Sequence, residues 1–383
     1  MRAAYILEAV RTPIGKRNGG LSAMRADDLA ALPLAEVVRR ANVPMAEVED
    51  VVMGCVTQIG EQGTNIARIA TLIAGFPVTT TGTSVNRQCG SSLQAMHFAS
   101  QAIMAGEQDL NIAAGVESMT RVPMGSCGTM MSEKLTDLYD IVPQGISAEM
   151  IAERWELDRP SLDAFALQSH ERALSAQAAG YFDREIMPVD APTADGGTYR
   201  LTQDEGPRAG GTLEKLATLK TPFKPDGVVT AASSSQISDG ACAILLGTRE
   251  KAASLGLRPR ARIVANVLAG VDPTIMLTGP IPATEKVLRK AGLSIDDIDL
   301  FEVNEAFAPV VLSWLKDTGA DPAKTNVNGG ACALGHPLGA SGARLITTLL
   351  HEMERRDVRY GLATLCIGFG QAVATILDRK VDA

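Results

Sequence analysis

The chain repeats itself, and this restricts its fold more than any other feature. The stretch AEVVRRANVPMAEVEDVVMGC (35–55) parallels TEKVLRKAGLSIDDIDLFEVNE (284–305). Val37-Val38-Arg39-Arg40-Ala41 falls on Val287-Leu288-Arg289-Lys290-Ala291, and Val51-Val52-Met53 on Phe301-Glu302-Val303. Each copy reads as helix, turn, short helical turn and buried strand. A second pair, starting at VNRQCGSSLQAMHF and VNGGACALGHPLGASGARL, reads as strand, Gly-rich turn, long helix and apolar strand. Short buried strands alternating with helices predict an α/β fold, in which two duplicated halves stack as sheets covered by helices.

With 383 residues the chain exceeds what one core serves. Residues 1–118 with 240–259 are expected to form the first half and 260–383 the second. Residues 119–239 change character: they are polar, rich in turn formers and free of the repeat, as a large inserted loop domain would be. One helix stands out there, at 159–182, with Pro160 in its first turn and Gly180 near its end. The net charge of −8 and the absence of a basic tract argue against nucleic acid as a partner. The N-terminal MRAAYILEAVRTPIG, broken by Glu8 and Arg11, reads as a first strand and not as a signal peptide. No apolar run is long enough for a membrane span. The six cysteines form no CxxC pair, so neither a disulfide framework nor a metal site is expected, and the expected compartment is a reducing cytoplasm.

Four residues sit on turns after strands, where such sheets place ligands. Cys89 opens a helix, whose N–H groups and dipole favour a thiolate; the alternative is a buried structural thiol. Asn304 follows the strand ending at Val303, His336 lies among glycines, and Cys366 closes the last apolar strand before Gly368 and Gly370. By contrast, His97 lies at helical spacing among apolar residues and reads as structural. His170 and His351 read as surface residues, and Cys55, Cys127, Cys242 and Cys332 as structural.

Together with RTPIGKRNG, RQCGSS, ESMTRVPM, SSSQISDGA, NEAFA, NGGACALGHPLGASGAR and CIGFG, these residues give the chain a resemblance to the thiolases along essentially its whole length. These are coenzyme-A-dependent enzymes that cleave or form 3-ketoacyl-CoA. Within the family it looks most like bacterial degradative members, including those of steroid catabolism. The resemblance implies the duplicated thiolase fold, layered αβαβα, with an inserted loop domain. It implies Cys89 as the acylated nucleophile, with His336 as its base and a pKa lowered by the helix, and Cys366 as the acid–base thiol. His336 and a water held by Asn304 would receive the enolate oxygen, and the N–H groups of Cys89 and Gly368 would form a second oxyanion hole. Ser235, Phe223, Ala306 and Phe307 match positions that contact pantetheine or line the pocket. Arg208 matches a residue near the nucleotide end and reads equally well as a surface arginine. Coenzyme A or acetyl-CoA is then a substrate, no cofactor or metal is implied, and a homodimer or homotetramer is expected.

Two departures bear on specificity. Phe369 replaces the middle glycine of a common Cys-x-Gly-Gly-Gly turn, so its ring either narrows the pocket or points away. Pro143 and Gln144 replace a His-Met pair of short-chain biosynthetic members, which argues for a larger acyl group. A ketoacyl synthase would lack the second cysteine, and an inactive acyl-CoA or lipid-binding relative would have lost at least one of the four positions.

Overall fold

A computed structural model describes residues 2–128, 130–193 and 195–381. Met1, Asp382 and Ala383, at the ends of the expected halves, and Thr129 and Ala194 of the expected insert lie outside it. Nine strands carry the architecture: β1 (Tyr5–Arg11), β2 (Asp50–Gly54), β3 (Thr81–Val85), β4 (Leu110–Ser118), β5 (Ser238–Gly247), β6 (Ala261–Gly270), β7 (Leu300–Val303), β8 (Tyr360–Ile367) and β9 (Gln371–Asp378). Their order is β7-β8-β9-β6-β1-β5-β4-β2-β3. The duplication is visible in that order. On one side β2, β4, β5 and β1 follow one another, and on the other β7, β8, β9 and β6 do the same. The two sets join where β1 pairs with β6, at Tyr5 with Arg262 and Ile6 with Ala261.

The repeated segments adopt repeated structures. Helix α1 (Ala26–Ala41) ends on Asn42 in the left-handed region, followed by a 3₁₀ turn at Met45–Glu47 and β2. The second copy ends its helix on left-handed Gly292, turns at Ile295–Asp297 and enters β7. The second segment pair departs in one place. β3 pairs with β2, but its counterpart is reduced to a single bridge between Thr325 and Phe301. There the side chain of Asn326 replaces ladder bonds, accepting from Val303 N–H and donating to Val303 C=O at 2.8 Å each.

Hydrophobic burial sorts into layers. Helix α1 and α2 (Ile66–Ile73) cover the outer face of the first strand set through Leu29, Leu34, Ile66 and Ala70. Helices α3 (Ser91–Ala105) and α8 (Ser341–Arg356) lie between the two sets, with Leu93, Met96, Leu345 and Leu349 in one core. On the far side α6 (Pro280–Ala291) and α7 (Ala308–Thr318) bury Val287 and Trp314. The result is αβαβα. The two central helices approach closely because Gly342 has no side chain: a Cβ there would stand 2.4 Å from the backbone nitrogen of Leu93. Helices α4 (Gln144–Arg154) and α5 (Arg159–Ala178) come from the 119–239 segment. Asp158 caps α5, and Pro160 lies in its first turn. This segment is tied to β1 by buried charge: Arg11 donates to Asp204 at 2.6 Å and to Glu185 at 2.6 Å. Breaking one partner of such a buried group costs roughly 3–5 kcal/mol. Among the described residues no helix is long and apolar enough to cross a membrane.

Candidate active site

The turn that presents Cys89 joins β3 to α3. Gln88 takes φ +45°, reversing the chain sharply, and Gly90 starts the helix. On the opposite half, β8 and β9 form a tight hairpin in which Ile367 pairs with Gln371, leaving Gly368, Phe369 and Gly370 as the loop. Two contacts bring these turns together. Arg87 donates to the Gln371 side chain at 2.6 Å, and a Cβ on Gly90 would lie 2.4 Å from Ile367 Cδ1. The outcome is two buried thiols, Cys89 and Cys366, within electrostatic reach of each other.

Their ionisation follows from burial. Desolvation pushes the Cys89 thiol up to about 12, opposed by hydrogen bonds from the backbone N–H groups of Cys89 and Gly368 to the sulfur. The expected net lowering by the helix is therefore not found. Burial of the sulfur outweighs the donors. Cys366 is also raised, first by burial and then by the neighbouring charge of Cys89. Ionising one thiol thus holds the other protonated.

His336 and Asn304 form the second element. Asn304 Nδ2 donates to His336 Nε2 at 3.3 Å, and His336 Nδ1–H donates to Ser341 Oγ at 2.5 Å. Ser341 donates onward to Pro337 C=O. This chain fixes the Nδ1–H tautomer and leaves Nε2 as an acceptor. Burial lowers the imidazole to about 3, with Arg344 adding in the same direction, so it is neutral. Asn304 Oδ1 is buried and has no hydrogen-bond partner among the described residues.

Three cavities adjoin one another. One of about 320 Å³, the Cys89 cavity, holds Cys89, Gly368 and Phe369. It shares Met124, Pro143, Gln144 and Leu338 with a second of about 460 Å³. That one is lined by Ser235, Phe223, Ala306, Phe307 and His336. Phe223 and Phe307 meet edge to face, with centroids 5.8 Å apart. Gln236 is common to the second cavity and an outer one of about 350 Å³ that holds Arg208, Lys215 and His170. Every candidate residue named from the sequence therefore lies on this path, apart from Asn304 and Cys366, which are buried behind it. Phe369 lines the Cys89 cavity. It holds φ +58°, a region that costs an L-residue about 1 kcal/mol or more.

Other readings need correction. His351 is buried, not on the surface, because α8 is packed on both faces, and its Nδ1 lies 2.9 Å from Thr347 C=O. His170 is half-buried and accepts the Arg208 N–H at 3.0 Å. Cys127 is exposed and lines the Cys89 cavity. Three residues escaped notice. Ser341 orients His336, Lys215 joins Arg208, and buried Glu117 accepts from Val56, Thr57, Gln62 and Gly339, tying the two halves together behind Cys89. The signal for Glu117 was present as an acid at the end of an apolar strand.

Sequence models of the thiolase N-terminal and C-terminal domains match residues 4–250 and 257–379. The chain is 48% identical to the steroid 3-ketoacyl-CoA thiolase FadA6 of Mycobacterium tuberculosis, over 99% of this chain and 95% of that one. It is 46% identical to the 3-oxoadipyl-CoA/3-oxo-5,6-dehydrosuberyl-CoA thiolase of Escherichia coli, over 99% and 100%. Among solved structures, the acetyl-CoA acetyltransferase of Bacillus anthracis superposes with a TM-score of 0.92 at 40% identity, covering 99% of each chain. Similarity of this extent, on a duplicated αβαβα frame with paired thiols at its centre, leaves one conclusion: the chain belongs to the thiolase family.

Proposed function

We propose that the protein is a degradative thiolase, using coenzyme A to split a 3-ketoacyl-CoA into acetyl-CoA or propionyl-CoA and a shortened acyl-CoA, with the reverse Claisen condensation open to it. The observation that carries this reading is the meeting of Cys89 and Cys366 from opposite halves, with His336 on the adjoining cavity and buried Asn304 hydrogen-bonded to it. Cys89 attacks the 3-keto carbon as neutral His336 takes its proton. The developing oxyanion is received by the N–H groups of Cys89 and Gly368, donors worth roughly 3–4 kcal/mol each in such a role. The carbon–carbon bond then breaks and its electron pair passes to the acetyl thioester as an enolate, whose oxygen faces protonated His336 and a water held by Asn304. Cys366 protonates the enolate carbon and is restored by the proton His336 carries. A second coenzyme A attacks acyl-Cys89, its thiol proton passing through His336 to the departing sulfur.

In this reading residues 119–239 form the inserted domain for coenzyme A and acyl binding. Ser235, Phe223, Ala306 and Phe307 flank pantetheine, and exposed Arg208 with Lys215 faces the phosphates, supplying local positive charge in an acidic protein. The setting we propose is a reducing cytoplasm, in which both thiols persist.

Intact-protein mass tests the chemistry. Mixing with a cleavable 3-ketoacyl-CoA should add one acyl group to the wild type, none to the Cys89→Ala variant, and free coenzyme A should discharge it. A chain that gains no acyl mass from any ester, short or bulky, is a binding protein and not a thiolase. The protein also self-associates in our reading, as a homodimer or homotetramer. β3 is the sheet's outermost strand, and beside it Leu72, Ile73 and Val78 are exposed. Sedimentation showing only monomer at micromolar concentration would rule this out.

A further inference from the structure

The Cys89 cavity states the chemistry of what it accepts. Val56, Met124, Met131, Ile141, Met276 and Phe369 supply large apolar side chains to its wall. Its polar side chains besides the cysteines are the neutral amides Asn86, Gln88 and Gln144. Among the described residues no charged side chain lines it. Basic groups lie at the other end of the path, on Arg208 and Lys215 of the outer cavity. The residue preceding Ile141 is an exposed acid, Asp140. An acyl chain ending in a carboxylate would therefore lie against a wall with no cation to meet it, losing hydration without gaining a counter-charge. An apolar tail meets the reverse situation. Methionines adapt to irregular hydrocarbon shapes, and the site buries the tail against apolar surface.

Phe369 is the residue that argues most. Its backbone sits at φ +58°, where glycine is at ease and a ring-bearing residue is not. Phe369 is about one-third exposed (37%) and lines the cavity of Cys89. Its benefit lies in the wall it supplies, not in the turn it occupies. We infer that the chamber is built for a 3-ketoacyl group with an apolar, extended or ring-bearing tail, that it rejects dicarboxylate acyl groups, and that Phe369 is a specificity determinant. This inference rests on the thiolase reading above.

The test compares kcat/KM for thiolysis of acetoacetyl-CoA, 3-ketodecanoyl-CoA and 3-ketoadipyl-CoA. The wild type should favour 3-ketodecanoyl-CoA over 3-ketoadipyl-CoA by about 100-fold, as expected when a charge is left unpaired in place of a filled apolar pocket. The Phe369→Gly variant, which keeps the turn, should lose about tenfold more kcat/KM on 3-ketodecanoyl-CoA than on acetoacetyl-CoA. The Met131→Lys variant, which places a cation in the wall, should shift the decanoyl-to-adipyl ratio at least about tenfold toward the dicarboxylate. Equal use of the two longer esters, or a wild-type preference for 3-ketoadipyl-CoA, overturns the inference alone. Equal losses on all substrates in Phe369→Gly overturn the role given to the ring. Failure to cleave any ester, with no acyl mass on Cys89, overturns the thiolase reading and this inference with it.

Discussion

Replacing Cys89 by alanine should lower thiolytic turnover by roughly 10⁴-fold or more, the scale on which nucleophile knockouts act, while KM changes by less than about threefold. The two effects separate because the substitution removes only the sulfur, the atom of Cys89 that forms the covalent bond to substrate. The donors around it are backbone: the N–H groups of Cys89 and Gly368 that reach the sulfur survive the change. The binding path through the Phe223–Phe307 pair is untouched. The thiol's raised pKa sharpens the expectation. A group held up to about 12 is protonated throughout the neutral range, so the substrate-free enzyme stores little thiolate. Alkylation of Cys89 by iodoacetamide without substrate should then climb about tenfold per pH unit from 7 to 9, since each unit below the pKa divides the thiolate by ten. Steady-state kinetics of Cys89→Ala, with sedimentation to verify assembly, decides the first point. A variant retaining more than about one-hundredth of wild-type kcat would remove Cys89 from the nucleophile's role. Alkylation that levels off by pH 7 would mean that the helix and the two N–H donors overcome desolvation.

Much of this arrangement was legible before any coordinates. The duplication alone predicts two strand sets of one order, because sequence periodicity records which residues face a core. The turns bearing Cys89, Asn304 and His336 were legible for the same reason, each lying near an apolar run and a glycine or a helix, whereas Cys366, expected after its strand, lies within β8 and pairs with Ala372. What escaped lies where packing is non-local. α8 carries His351, which read as a surface residue, yet the helix is covered on both sides and buries Arg344 and Glu352 as well. Arg344 pairs with Glu302 at 2.9 Å, and Glu352 takes a hydrogen bond from Asn328. No periodicity reveals that a helix is sandwiched when its buried polar residues find partners from distant strands. The thiol pKa was misjudged for a related reason. A helix N-terminus is visible in sequence, but the exclusion of water that opposes it depends on Leu338, Met119 and Val56 arriving from elsewhere. The vestigial strand at Thr325 was likewise hidden, since Asn326 replaces backbone pairing with its side chain.

The second large effect is expected at Cys366, and it divides the reaction. Replacing Cys366 by alanine should lower carbon–carbon cleavage of a 3-ketoacyl-CoA by about 10²–10⁴-fold, the range of a lost general acid. Exchange of labelled coenzyme A into an acyl-CoA should fall by less than about tenfold. Exchange requires only that Cys89 be acylated and discharged, and the protons for both steps move through His336. Its neutral Nε2 is poised by Ser341 at one ring nitrogen and Asn304 at the other. Cleavage alone demands a proton at carbon. Cys366 suits that demand because burial and the charge of Cys89 raise its pKa; the sign means that the thiol keeps its proton below that raised value and loses it only as pH climbs toward it. Serine at the same position preserves shape but is a far weaker acid, so Cys366→Ser should reproduce the split and separate acid strength from packing. If cleavage and exchange fall together in both variants, Cys366 merely supports the turn that carries Gly368. If cleavage persists in both, the proton reaches the enolate by another route, and the pairing of two thiols across the duplicated halves has a purpose other than acid–base chemistry.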